Sequence, residues 1–337
     1  MSSEVRLPAD YLQIPDQLNI AACTVDRQVA AGHGDIVAMY LDDQRITYRQ
    51  LQARVNQFGN ALAKLGIGWG DHFIIRSPNC PEYIIAMLGG MKIGAVPIPS
   101  NSLFRTFELE HIINNSESVA VFTTTALLEA VLQVREKCPT LEHIILIENE
   151  DGEYQTFNQL VEGAATELEA APTGKDDSAY MMYTSGTTGE PKGVEHAHRW
   201  IVGTGDTVAR LLMQLQPGEV CFAPQEMSFM HAFGLNFLYP LYCGAGIVVY
   251  SGRFTPEVAL EYLEKYRVNV FITVPTMMRM LLAEEGIEHK FDLSSVRMGI
   301  SAGEPLPQDT YESFKARFGI EIFDGIGQTD IHIFVAN

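Results

Sequence analysis

Tyr183-Thr-Ser-Gly-Thr-Thr-Gly-Glu-Pro-Lys-Gly193 is the stretch from which the rest of the chain can be read. It gathers four hydroxyl side chains (Thr184, Ser185, Thr187, Thr188), three glycines (Gly186, Gly189, Gly193) and Lys192. Glycines let backbone N–H groups approach an anion, the hydroxyls donate further hydrogen bonds, and the lysine adds charge, so the loop suits a polyphosphate. The apolar run Ala179 to Tyr183 leads in as a buried strand. That predicts a loop at a strand's C-terminal end, where open α/β sheets bind ligands. A Walker A loop reads Gly-x-x-x-x-Gly-Lys-Ser/Thr. Here Pro191 precedes Lys192 and Gly193 follows it, so the lysine does not open a helix in that manner. Loops rich in Gly, Ser and Thr are often only solvated turns, yet here the glycines, hydroxyls and lysine together favour an anion.

Working outward, helix and strand alternate from Ile46 onward. Leu51, Val55, Phe58, Leu62 and Leu65 follow a helical spacing, with Thr47 and Gln50 as a capping box and Gly66 as a stop. Strands are predicted at Phe73–Ile75, Ala95–Ile98, Val119–Thr123 and His143–Ile147, with helices over Glu82–Met91 and around Leu109. Later strands fall near Val220–Ala223, Ile247–Tyr250, Val270–Val274 and Met298–Ile300, and Thr255-Pro256 opens a helix striped by Val258, Leu260, Leu263 and Tyr266. Continuous apolar strands between helices predict an α/β fold of two packed lobes, with mostly parallel sheets flanked by helices. Leu168 to Asp176, rich in Ala, Pro, Gly and charge, reads as a linker, dividing the chain into residues 1–175 and 176–337.

Composition narrows the function. The formal net charge of −19, from 42 acidic and 23 basic residues, argues against a nucleic-acid or anionic-membrane partner. A nucleotide site must be a local positive feature on a negative body, with magnesium and Lys192 offsetting the field. Five cysteines (Cys23, Cys80, Cys138, Cys221, Cys243) lack metal-ligand spacing, which suits free thiols in a reducing, cytoplasmic setting. Met1 to Ile20 has no apolar signal core, and the best apolar stretches are interrupted by Lys92, or by Pro275 and Arg279.

Tyr183 to Gly193 resembles the signature loop of the adenylate-forming superfamily, which includes acyl-CoA synthetases, peptide-synthetase adenylation domains and luciferases. Ser77-Pro78-Asn79 through Gly94-Ala95-Val96-Pro97, Ser301-Ala302-Gly303-Glu304-Pro305-Leu306-Pro307 and Asp324-Gly-Ile-Gly-Gln-Thr-Asp330 are similar to three further family segments, in the right order. The resemblance implies an enzyme that uses ATP and Mg2+ to activate a carboxylic acid as acyl-AMP, releases pyrophosphate, and passes the acyl group to CoA.

Residue by residue, the resemblance implies that Thr184, Ser185, Gly186, Thr187, Thr188 and Lys192 hold the β- and γ-phosphates, and that Thr329 meets the α-phosphate. Asp330 would hold magnesium, with aspartate where the family has glutamate, which shortens the reach by one methylene. Asp324 would contact the adenine amino group. Ser301, Ala302, Gly303 and Glu304 would line the base from one side and Gly325, Ile326 and Gly327 from the other, and an aliphatic Ile326 is similar to benzoate-type CoA ligases. Phe229-Met-His-Ala-Phe-Gly234 resembles the motif beside the carboxylate pocket, with His231 orienting or gating the acid. Met227, Phe229, Met230, Phe233 and Gly234 would shape apolar walls suited to an aromatic, cyclic or medium-chain acid, although core packing explains any one of them equally well. His332 is similar to an aryl-pocket histidine of benzoate- and aminobenzoate-CoA ligases, but with one residue fewer between Asp330 and His332 than that pattern has.

The family continues beyond the Thr329-Asp330 pair with a C-terminal lid, so binding is expected to survive better than turnover in this chain. A non-catalytic nucleotide- and acid-binding module, or an enzyme loading a carrier-protein thiol, stays open beside the CoA ligase. The expected partner is a small-molecule carboxylic acid, and a homodimer is a candidate assembly.

Overall fold

The apolar runs that read as strands assemble into two separate parallel sheets, and a hairpin ribbon lies beside one of them. A computed structural model describes residues 10–148, 152–184 and 189–330, together with the backbone of 335–336. The strands are β1 (Val37–Leu41), β2 (Gln44–Thr47), β3 (His72–Arg76), β4 (Val96–Pro99), β5 (Ala120–Thr123), β6 (His143–Leu146), β7 (Ser178–Thr184), β8 (Lys192–Ala197), β9 (Val220–Phe222), β10 (Gly246–Val248), β11 (Val270–Thr273), β12 (Met298–Ser301), β13 (Ile322–Ile326) and β14 (Val335–Ala336).

One sheet runs β4-β3-β5-β6, all parallel, with Ile74 facing Ile98 on one side and Val121 on the other. The other runs β14-β13-β12-β11-β9-β10-β1-β2, parallel except at its two edges. Helices pack on the sheets as the alternation implies. Helix Tyr48–Lys64 begins with the expected capping box, Thr47 accepting from the Gln50 backbone while the Gln50 side chain accepts from the Thr47 backbone. Helix Pro81–Ile93 is buried on nearly every side, which explains why its sequence shows no polar face.

Three expectations are corrected. The division at 175/176 does not follow the sheets, because β1 and β2 complete the edge of the later sheet, with Met39 paired to Ile247 and Tyr40 to Val248. The Val37–Leu41 run is too apolar to stay outside a sheet, and β10 offers it an open edge. The stretch Leu168 to Asp176 is no free linker either. Ala171 donates to the Lys92 carbonyl at 2.8 Å, and Thr173 is pinned through both its carbonyl and its hydroxyl to Leu18. Finally, the signature loop does follow the C-terminal end of a strand, but that strand lies in no open parallel sheet: β7 pairs antiparallel with β8 from Ser178↔Ala197 to Thr184↔Lys192, and the loop joins the two strands of a hairpin. The ribbon's β7 runs beside β4.

The ribbon carries two buried histidines. His196 on β8 stacks on Tyr180 with centroids 4.7 Å apart, and His198 accepts the Ile20 N–H at Nδ1, 3.1 Å away. Burial pushes both imidazoles, and that of His231, down to about 4 from an ordinary 6.5. Between these values the unfolded chain binds protons that the native one refuses, so stability is complete above pH 6.5 and is lost as pH falls toward 4. Urea titrations should show a loss of about 2 kcal/mol per histidine by pH 5. Replacing His198 by Asn, which keeps an acceptor for Ile20 but takes no proton, should flatten part of that slope.

Candidate active site

Adjacent strands β12 and β13 set Ser301 opposite Asp324, and the chain leaves both at their C-terminal ends. The loops that follow enclose a cleft of about 410 Å³ lined by Gly303, Glu304, Pro305, Asp324, Gly325, Ile326 and Gly327. Asp324 Oδ1 is buried and has no hydrogen-bond partner among the described residues, and neither has Ser301 Oγ. A buried carboxylate oxygen left in this state is costly unless a ligand donates to it. Ile326, 68% exposed, gives the cleft an apolar platform. Glu304 has structural work besides: it accepts from Thr276 N at 2.8 Å and Thr276 Oγ1 at 2.6 Å, at the start of helix Pro275–Ala283. Those bonds, with Arg279 nearby, hold its carboxyl below the usual range.

A second pocket of about 220 Å³ shares Gly303 and Gly327 with the cleft and adds Phe229, Met230, His231, Leu235, Tyr239, Ala302, Gln328 and Thr329. Phe229, Met230 and His231, singled out together in the sequence, therefore line one pocket. Met227 and Phe233 do not: both are fully buried, Phe233 packing on Tyr180 with centroids 4.8 Å apart, so core packing explains them. Gly234 acts from behind, since a Cβ there would approach the Tyr239 ring to within 2.8 Å. Leu235 and Tyr239 were missed, although their steps of four from His231 mark one helical face. Burial pushes the His231 imidazole down to about 4, which suits it to hydrogen bonding and not to the part of a countercharge at pH 7.

Thr329 lines the pocket, and Asp330 is exposed, close enough to His196 to act on its charge. No group of three or more His, Cys, Asp or Glu fit to hold a metal occurs among the described residues. A lone Asp330 suits magnesium, which takes one or two carboxylates and keeps its other ligands from phosphate and water. Thr184 closes β7 and the exposed Lys192 opens β8, directly across the ribbon. Ser185, Gly186, Thr187, Thr188 and His332 lie outside the described residues.

The pocket is fixed in place from the other sheet. Asn79, in the turn after β3, donates to the carbonyls of Gln225 and Tyr250, both at 2.9 Å, and accepts from Met227 N at 2.8 Å. Tyr83 Oη donates to the Met227 carbonyl at 3.0 Å. The Ser-Pro-Asn segment thus carries a structural function that its sequence did not disclose.

The profile of the AMP-binding enzyme family matches residues 26–337. The chain belongs to that family. It is 33% identical over 329 residues to a benzoate–CoA ligase of Thauera aromatica, an alignment covering 97% of this chain and 62% of the relative. It is 31% identical over 324 residues to a 3-hydroxybenzoate–CoA/4-hydroxybenzoate–CoA ligase of the same organism, covering 96% and 62%. Its structure superposes on an anthranilate CoA ligase in complex with anthranoyl-AMP with a TM-score of 0.91 and 29% identity, over 96% of this chain and 63% of the other. The chain thus spans about 62% of the length of the curated relatives it matches. No described helix is long and apolar enough to cross a membrane.

Removing the Asn79 amide takes the partner from three backbone groups, two of them in buried bonds and one in a part-buried bond. Asn79→Ala should destabilise the chain by about 3 kcal/mol in chemical denaturation. Asn79→Asp should be no milder, because its carboxylate would face the Gln225 and Tyr250 carbonyls. A loss below about 0.5 kcal/mol, the level of an ordinary surface change, would contradict the assignment.

Proposed function

We propose that this chain binds ATP and a small aromatic carboxylic acid and joins them as an acyl-adenylate, the first half of an AMP-forming acid–CoA ligation. The observation that carries the reading is the common rim: Gly303 and Gly327 line both the cleft and the apolar pocket, so a ligand in one abuts a ligand in the other. The adenine would lie on Ile326 with its amino group donating to Asp324 Oδ1, and the acid would sit among Phe229, Met230, His231 and Tyr239. At about 220 Å³ the pocket is smaller than the roughly 300–1,000 Å³ of drug-sized sites, which suits a single aryl ring. Benzoate, hydroxybenzoate and anthranilate, the acids named for the relatives, are of that size.

In the reaction a carboxylate oxygen attacks the α-phosphorus, a P–O bond forms, and pyrophosphate departs with the electrons of the bond that breaks. The acyl carbon is then open to a thiol, CoA on this reading, and AMP leaves. Negative charge accumulates on the phosphates as pyrophosphate departs, so cationic and hydrogen-bonding groups placed there beforehand lower the barrier. Lys192, Thr184 and Thr329 are the described groups suited to that task. Magnesium, when bound, would neutralise further phosphate charge, with Asp330 as its protein ligand. Neutral His231 orients the acid by hydrogen bonding without trapping the nucleophile in an ion pair.

Calorimetric titration with MgATP, benzoate and acetate tests the reading. Saturable MgATP binding is expected, with benzoate bound at least about tenfold more tightly than acetate, because acetate leaves the apolar walls uncovered. Lys192→Ala should weaken MgATP by about tenfold or more, the effect of one lost charge-assisted contact, and leave benzoate unaffected. Absence of saturable MgATP binding would overturn the proposal.

A further inference from the structure

Helix Thr106–Asn115 buries Leu109, Ile112 and Ile113 against the first sheet and presents His111 and Asn115, one helical step apart, to the β7–β8 ribbon. The Tyr183 hydroxyl donates to Asn115 Oδ1 at 2.6 Å. His111 Nε2 lies 2.9 Å from the Pro191 carbonyl oxygen, and since a carbonyl only accepts, the ring nitrogen donates. The other ring nitrogen is 3.6 Å from a Glu190 carboxylate oxygen. These contacts fall on opposite sides of the signature loop, for Tyr183 leads into it and Glu190-Pro191 lead out. The His111 and Tyr183 rings also meet edge-on with centroids 6.5 Å apart, which makes the two contacts one cluster. Gly193 pairs with Tyr183 across the ribbon, where a Cβ would come within 3.1 Å of Tyr183 Cζ and 2.9 Å of Met181 Sδ. The last glycine of the signature stretch is therefore the space that the Tyr183 ring needs.

We infer that His111 and Asn115 are positioning residues that clamp the two stems of the signature loop and so set the spacing at which Thr184 and Lys192 meet a nucleotide's phosphates. This rests on the nucleotide reading above. The clamp acts through the loop: it removes freedom from the stems before the ligand arrives, which lowers the ordering cost of binding. Burial of Leu109, Ile112 and Ile113 anchors the helix to the sheet, so the clamp has a rigid base.

Hydrogen–deuterium exchange over residues 183–193, together with calorimetric affinities for MgATP and for benzoate, tests the clamp in the whole chain. His111→Ala and Tyr183→Phe should each speed exchange there and weaken MgATP about fivefold, the effect of one lost hydrogen bond, with benzoate affinity unchanged. His111→Gln, whose amide can still donate to the Pro191 carbonyl, should restore both readouts. A general packing defect would weaken benzoate as well and would not be rescued by glutamine, and that pattern overturns the proposal. Unchanged exchange in His111→Ala also overturns it, as does faster exchange with undiminished MgATP affinity. If the unaltered chain bound no MgATP, the functional reading would fall and the positioning role with it, while faster exchange in the variants would still establish the clamp on the stems.

Discussion

A buried amide ties the first sheet to the second at the place where the apolar pocket begins, within the core that the two sheets share. Asn79 stands at the end of β3 in the first sheet and spends both its N–H bonds and its carbonyl on the backbone beyond β9 and β10 in the second. With Tyr83 on the Met227 carbonyl, both backbone groups of Met227 are held from across the interface. The chain runs from there directly into Phe229, Met230 and His231, so the position of the apolar pocket is set by the first sheet although its walls belong to the second. Apolar packing between sheets tolerates sliding, whereas three directed bonds at 2.8–2.9 Å do not. A pocket whose use depends on where an acid's carboxylate points needs that kind of constraint.

Charge is arranged by burial as much as by sequence. A chain of net charge −19 would repel both an acid and a polyphosphate at most of its surface. At the candidate site burial keeps His231 neutral, the Glu304 carboxylate accepts from Thr276, and Lys192 stands exposed at the loop end of the ribbon. The apolar pocket is thereby a place of hydrogen bonds and apolar walls, and the cation is carried by the ribbon. Stacking of His196 on Tyr180, and of Tyr180 against Phe233, ties the ribbon to the pocket helix, so the two parts are mechanically continuous.

Periodicity in the sequence located most of the parallel strands, because a strand buried on both faces must be apolar throughout. Helix Tyr48–Lys64 was legible to its capping box, since Thr47 and Gln50 act within one turn. What stayed hidden depends on distant partners. β1 needed an edge more than 200 residues away, at β10. The antiparallel pairing of β7 with β8 was masked because Lys192 to Ala197 is largely polar, with only His196 fully buried. Phe229, Met230, His231 and most of the Asp324 to Thr329 segment, which the motifs single out, line the pocket and the cleft. Met227 and Phe233 were not separable from them, because apolar side chains that line a pocket and those that fill a core are chemically alike. The motif around Asn79 gives no hint of its structural role, and His111 and Asn115 carry no local signal, since each acts on backbone or side chains far along the chain.

On the proposed function, cleft and pocket are two compartments of one site, joined at Gly303 and Gly327. A benzoyl-adenylate analogue with a sulfamate in place of the phosphate would occupy both at once, without any need for turnover. Its dissociation constant, measured beside those of AMP and benzoate, is the most direct test. The linked molecule should bind at least about a hundredfold more tightly than either part, as joined ligands do when their sites adjoin. An analogue that bound no better than AMP would mean that the two compartments do not communicate, and the account would be wrong at its centre.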